Sequence, residues 1–224
     1  MYVSYYMTTA PITVRPDLRI DEAKALLDSH HFRHLPVVDD EGRLRGMVTD
    51  RDIRSAFPST MLAAEERQEI MNRVRSIPVG DIMSANNMVL TTNSTLDDAL
   101  LLFERKSVGA LPVLDETGRV MGILSFNDLL KAWRSLFGLG EKGSVLLAIE
   151  ASAEPRSLSR LVQVLEELNV PFTRLIRTDG SGREPAMIYL RINTYNIRAV
   201  HKAVEKAGFT VHHPGQQATG ERSE

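Results

Sequence analysis

An internal repeat constrains this 224-residue chain more than any other feature. Leu35-Pro36-Val37-Val38-Asp39 returns as Leu111-Pro112-Val113-Leu114-Asp115, an offset of 76 residues. With that offset held and no gaps opened, Gly42-Arg43 meets Gly118-Arg119, Gly46 meets Gly122, Thr49 meets Ser125 and Asp52 meets Asp128. Backwards, Asp21 meets Asp97, Ala23 meets Ala99, Met7 meets Met83 and Val3 meets Val79. Residues 3–54 therefore align with 79–130. Identity is only about a quarter, but apolar character persists, and chance does not hold one register over roughly 50 residues. A unit of about 50 residues cannot bury both faces of a sheet alone, so the two copies are expected to pack together.

Each copy reads as β-α-β-β-α. An extended piece (Ile12-Thr13-Val14, or Met88-Val89-Leu90) precedes a helix with Ala23, Leu26 and Leu27, or Ala99, Leu102 and Phe103, at i, i+3, i+4 spacing. The helix opens on Asp21-Glu22 or Asp97-Asp98, as its dipole favours. Two strands, Leu35 to Val38 and Leu44 to Thr49, flank the acidic turn Asp39-Asp40-Glu41-Gly42, and a second helix begins at Asp50. Between the copies, a helix through Ile70, Met71 and Val74 stops before Pro78, with Ser59 or Thr60 as its expected cap. Tyr2, Tyr5 and Tyr6 stand where an apolar anchor would pack.

After the repeats, Gly138-Leu139-Gly140-Glu141-Lys142-Gly143 reads as a linker and the pattern changes. Strands at Val145 to Ile149, Phe172 to Arg177, Ala186 to Ile192 and Phe209 to His212 alternate with a helix through Leu161 and Leu165 and another through Val200 and Val204, ended by Gly208. The order βαββαβ is the ferredoxin-like split βαβ. The expected class is α+β. The first repeat occupies 1–58, an inter-repeat helix 59–78, the second repeat 79–137, a linker 138–143, the βαββαβ domain 144–213 and a polar, disordered tail 214–224.

Composition narrows the function. Hydrophobic residues at 43% and charged residues at 25% describe an ordinary globular protein. The absence of cysteine excludes disulfides, a thiolate nucleophile and a thiolate metal site. A formal charge of −2 argues against nucleic-acid and anionic-membrane partners. Apolar runs of about five residues fall far short of a membrane span of roughly 20. The start of the chain carries no signal-peptide pattern, so a cytoplasmic location is expected. No Ser-His-Asp order, Gly-x-Ser-x-Gly, Walker loop or carboxylate pair stands out, and no enzymatic activity is expected. His30 and His34 would bind a metal together only if the first helix ran through both, and no metal site is expected. Trp133 and Phe137 are a packing pair or a stacking surface.

The chemistry concentrates at the end of each hairpin: Gly46-Met47-Val48-Thr49-Asp50-Arg51-Asp52 and Gly122-Ile123-Leu124-Ser125-Phe126-Asn127-Asp128. A helix N-terminus favours a phosphate, and a carboxylate one turn on can accept from a ribose diol. Arg51 and Arg54 can pair with phosphate oxygens, whereas the second copy has Asn127 and Leu130 there. Thr-x-x-Asp is equally a capping box, which explains both residues without a ligand.

On Leu-Pro-Val-Val-Asp, the turn glycine and Gly-x-x-Thr-x-x-Asp, the repeats resemble CBS domains, and the pair resembles a Bateman module over residues 1 to about 135. The resemblance implies a regulatory, non-catalytic protein that takes an adenosine derivative in two clefts: AMP, ADP, ATP, S-adenosylmethionine or NAD. It implies Thr49 on phosphate and Asp52 on ribose, with Ser125 and Asp128 in the second site. Thr13, Val14, His34, Leu35 and Pro36 would line the first base pocket, and Val89, Leu90, Ala110, Leu111 and Pro112 the second. It implies a homodimer as well. Residues 144–213 resemble an ACT domain, with Arg156 where amino-acid-binding members carry glycine. The order CBS–CBS–ACT is similar to the bacterial acetoin-utilisation protein B type. A constitutive dimeric scaffold with vestigial clefts that recruits a metabolic enzyme is the competing expectation.

Overall fold

The computed structural model describes residues 1–58, 63–85, 88–106, 108–152, 154–181 and 185–212. It forms two compact units, Met1–Ala132 and Trp133–Glu224. In the first copy, β1 (Thr8–Thr9), α1 (Ile20–His30), β2 (His34–Val38), β3 (Leu44–Thr49) and α2 (Asp50–Ala56) follow in order. The connecting α3 (Ala64–Arg75) leads to β4 (Leu90–Thr91), α4 (Leu96–Lys106), β5 (Ala110–Leu114), β6 (Val120–Ser125) and α5 (Phe126–Leu136) of the second.

The two copies are joined by exchanging their first segments. Residues 1–9 bond to the second copy. Val3 N–H donates to Ser94 O at 2.8 Å, Leu96 N–H donates to Met1 O at 2.9 Å, and β1 pairs antiparallel with β6, Thr8 opposite Ile123. One repeat on, the same contacts run the other way. Val79 N–H donates to Leu18 O at 2.7 Å, Ile20 N–H donates to Ile77 O at 2.9 Å, and Ser84 bridges Met47. Every partner is displaced by the repeat offset. The hairpin turns also meet, with Leu44 N–H donating to Gly118 O and Val120 N–H to Gly42 O, each at 3.1 Å. Gly42 and Gly118 sit at φ +78° and +81°, which suits glycine.

This exchange explains the paired glycines inside the strands. A Cβ on Gly122 would lie 2.4 Å from Met7 Sδ and 3.0 Å from Thr8 O, and one on Gly46 would lie 2.5 Å from Met83 Sδ and 3.0 Å from Ser84 O. The methionine of each arriving segment lies on the other copy's glycine. Beneath it, Ile20, Ala23, Leu35, Val37, Val48, Ile53 and Val79 are fully buried in the first copy's core.

In the second unit, β7 (Ser144–Glu150), α6 (Ser157–Glu167), β8 (Phe172–Thr178), β9 (Met187–Asn193), α7 (Ile197–Lys206) and β10 (Val211–His212) form an antiparallel sheet of order β10-β7-β9-β8. This is the split βαβ topology. Alternate strand residues Leu147, Ile149, Ile188, Leu190 and Ile192 bury with Leu161 and Leu165 of α6 and Val200 and Val204 of α7. Period-two alternation therefore turns Leu146, Tyr189 and Arg191 to the opposite face.

Several expectations are corrected. Ser59 and Thr60 lie outside the described residues; α3 begins at Ala64 with Ala63 at its cap and no side-chain cap bond. The N-terminal anchor is Val3, wholly buried, whereas Tyr2 and Tyr5 are exposed. The two units divide at Ala132/Trp133, inside α5. The acidic turn is more than a solvated loop: Asp39 Oδ1 accepts from the Glu41 and Arg43 amides at 3.1 and 2.8 Å. The tail from 214 lies outside the described residues.

Replacing Gly122 with alanine is expected to cost about 1–3 kcal/mol, as small-to-large changes in packed cores do. Urea unfolding measures it, and an unchanged midpoint would show that the Met7 contact tolerates a Cβ.

Candidate functional site

Strand pairing sets the geometry at the end of each hairpin. In the first copy His34 lies opposite Thr49, and in the second Ala110 lies opposite Ser125. The next residue begins α2 or α5, because Thr49 and Ser125 reverse the chain as helix caps. Asp52 Oδ2 accepts from Thr49 N–H at 2.9 Å and from Thr49 Oγ1 at 2.7 Å, while Asp52 N–H donates back to Oγ1 at 3.2 Å. Asp128 and Ser125 repeat this at 3.1, 2.6 and 3.1 Å. Both are capping boxes, each satisfying amides that a helix start leaves open.

The box alone does not mark a site. Thr95 and Asp98 make the same three bonds, at 2.8, 2.8 and 3.1 Å, at the start of α4. What differs at Thr49 is its surroundings. Val14 N–H donates to Pro36 O at 3.0 Å and Val14 O accepts from Val38 N–H at 2.9 Å, so the 13–14 segment lies beside β2. In the second copy β4 runs parallel to β5, Leu90 opposite Val113. Thr13, Val14, Leu35 and Pro36 thus lie on or beside the hairpin that ends at Thr49, and Val89, Leu90, Ala110, Leu111 and Pro112 on or beside the hairpin that ends at Ser125. Of these, Leu35, Pro36, Val14, Leu90, Ala110, Leu111 and Pro112 are buried, and Thr13 and Val89 are exposed.

The two copies differ in charge. Asp52 Oδ1 has no partner among the described residues, whereas Asp128 Oδ1 accepts from Lys131 Nζ at 3.2 Å. Arg54 pairs with Asp50 at 2.6 Å. Arg51 is exposed and makes no ion pair among the described residues. Within the first turn of α2, Asp52 Oδ1 and the Arg51 guanidinium thus have no partner among the described residues.

His34 sits at the seam between the copies. Its ring lies over Gly109, where an added Cβ would be 2.8 Å from Cε1. Burial holds the His34 imidazole below its ordinary range, Arg33 adds to this and Asp52 opposes it. Gly109 is a residue that pattern reading missed. The repeat register carries the signal, since it sets Gly109-Ala110 against Arg33-His34: the second copy is small where the first is large. His30 ends α1 and stacks on Phe32 at 5.3 Å, so it shares no helix face with His34. No cluster of metal-ligating side chains occurs among the described residues.

The model of the CBS domain matches residues 3–59 and 79–135, the two copies just described. The chain belongs to the CBS-domain family. A CBS domain-containing protein of Dictyostelium discoideum is 35% identical over 128 residues, 57% of this chain and 88% of that protein. The CBS pair is also similar to part of an inosine-5′-monophosphate dehydrogenase of Aquifex aeolicus, 30% identical over 126 residues, 56% of this chain but only 23% of the dehydrogenase. Among solved structures, CBSX2 in complex with AMP superposes with a TM-score of 0.52 at 28% identity, covering 61% of this chain and 98% of that one. None of these three matches reaches over the whole chain. No described helix is long and apolar enough to cross a membrane.

The His34 environment has a pH signature. The unfolded chain binds a proton near the ordinary value of 6.5 and the folded CBS pair only at lower pH. Stability is therefore retained above 6.5 and lost as pH falls through the folded value. Urea unfolding from about pH 7.5 to about pH 5.5 should show this loss, and His34→Gln should flatten it. Equal slopes in the two proteins would rule His34 out as the cause.

Proposed function

We propose that the CBS pair is a regulatory sensor of an adenosine nucleotide, with AMP the first candidate. The observation that carries this reading is the first-copy hairpin end. There Asp52 keeps one carboxylate oxygen open and Arg51 is unpaired among the described residues, one turn from a helix start. A ribose diol can donate to that oxygen, and Arg51 can meet a phosphate. The similarity to an AMP-bound CBS pair supports the same class of ligand. Thr49 joins them by turning its hydroxyl from Asp52 to phosphate, Thr13 and Val14 line the base pocket, and the His34-Leu35-Pro36 backbone edge closes it. In the second copy Val89, Leu90, Ala110, Leu111 and Pro112 take these places with Ser125 and Asp128. Lys131 on Asp128 and Asn127 in place of Arg51 make that cleft the weaker one. ADP, ATP, S-adenosylmethionine and NAD share the adenosine part and are the other candidates.

In this reading the protein is a homodimer without catalytic activity of its own. Nucleotide binding shifts the CBS pair between states it binds unequally, and an ACT-like regulatory second unit or a metabolic enzyme partner receives the change. The second unit's βαββαβ order supports that likeness. Arg156 stands at φ +63° where the likeness calls for glycine, a backbone region glycine takes without strain. A second reading rests on the caps. Both Thr49 donors are spent on Asp52, which suits a constitutive scaffold with vestigial clefts.

Thermal unfolding with AMP separates the two. A ligand at about 100 times its dissociation constant stabilises by about 2.7 kcal/mol. Asp52→Ala is expected to lose its half of the capping box, about 1 kcal/mol, together with the whole AMP effect. Asp98→Ala is expected to lose only its half of the Thr95 box. No shift with AMP, or with any adenosine ligand of the panel, would leave the scaffold reading standing.

A further inference from the structure

The second unit holds a buried charge that its described residues do not answer. Arg191 points from β9 to the sheet face opposite the helices and is 8% exposed. Its Nη1 donates to Ser144 Oγ at a long 3.3 Å, and its Nε is buried with no partner among the described residues. No carboxylate among them pairs with it. Neighbouring Arg174 is fully engaged, with Nε and Nη2 donating to Leu136 O and Ser135 O at 2.9 Å each and Nη1 paired with Glu141 at 2.8 Å. Gly138, at φ +63°, lets the backbone pass close over both arginines; a Cβ there would lie 2.8 Å from Arg191 Cδ.

Both arginines line a groove of 390 Å³ whose other walls include Phe137, Leu146, Ile176 and Tyr189. That volume lies within the range of small-molecule sites. An arginine cannot shed its charge to ease burial, so an unanswered guanidinium is costly unless an anion completes it. A carboxylate matches the guanidinium fork, and the apolar walls require an apolar body behind it. A free inorganic anion would lose its hydration there for little return.

We propose that this groove binds a small carboxylic acid with an apolar or aromatic body, its carboxylate on Arg191. The site is separate from the CBS clefts and does not rest on the nucleotide reading.

Phenylacetate is a suitable probe, titrated into the full chain by calorimetry, with phenylacetamide lacking the charge and acetate lacking the body. Phenylacetate is expected to bind at least about tenfold more tightly than either control. Arg191→Met should abolish binding. Leu146→Asp, at a half-exposed position on the groove wall, should leave the circular dichroism spectrum unchanged and repel the carboxylate. Asp52→Ala should leave phenylacetate binding intact. Should Arg191→Met not fold, Leu146→Asp decides the matter. No binding of phenylacetate at millimolar concentration, equal binding of the amide, or binding retained in Leu146→Asp would overturn the proposal.

Discussion

The first unit depends on one arrangement: each repeat completes the other's sheet. Segment 1–9 lies along the start of α4 and β6, and residues 77–84 lie along the start of α1 and β3, through backbone bonds that repeat at the same offset. Neither copy alone satisfies these edges, and an open sheet edge is a liability. The exchange also demands room where strand meets strand. Gly46 and Gly122 supply it, and Met83 and Met7 fill it with flexible, polarisable side chains.

The two hairpin ends are built alike. Each ends in a hydroxyl residue that caps the following helix, and each carries an aspartate that closes the cap. These two side chains are committed to the cap, so any further contact falls to whatever hydrogen-bonding capacity the cap leaves over. The two caps differ in what they leave over: Asp52 Oδ1 has no partner among the described residues, whereas the matching oxygen of Asp128 accepts from Lys131. His34 adds to the asymmetry. It fills the space over Gly109 and resists protonation because burial disfavours its charge, with Arg33 reinforcing the effect.

The second unit follows simpler rules. One face of its sheet is covered by two helices and the other carries Leu146, Ile176, Tyr189 and two arginines. Arg174 closes the end of the preceding helix by donating to its last carbonyls, as a cation at a helix C-terminus does. Arg191 has no comparable role, and its burial is the feature that ordinary packing leaves unexplained.

Much of this was legible in the sequence. The repeat register named both copies, the hairpins, the glycine pairs and the Thr49–Asp52 and Ser125–Asp128 sets, because apolar periodicity and turn residues are local signals. The βαββαβ order was legible for the same reason. Three things were not. Which copy receives the segment containing Met7 depends on pairing between residues more than a hundred positions apart, and no local pattern encodes it. That Arg54 is held by Asp50 while Arg51 is unpaired among the described residues depends on rotamers within one turn of helix. That Arg191 is buried depends on β9 lying between β7 and β8, so that the end of α5 and its following loop can close over it. Sequence alone determined the elements, their order and the family. Tertiary structure decided which donors, acceptors and charges remain unspent, because that depends on what each side chain meets across the fold.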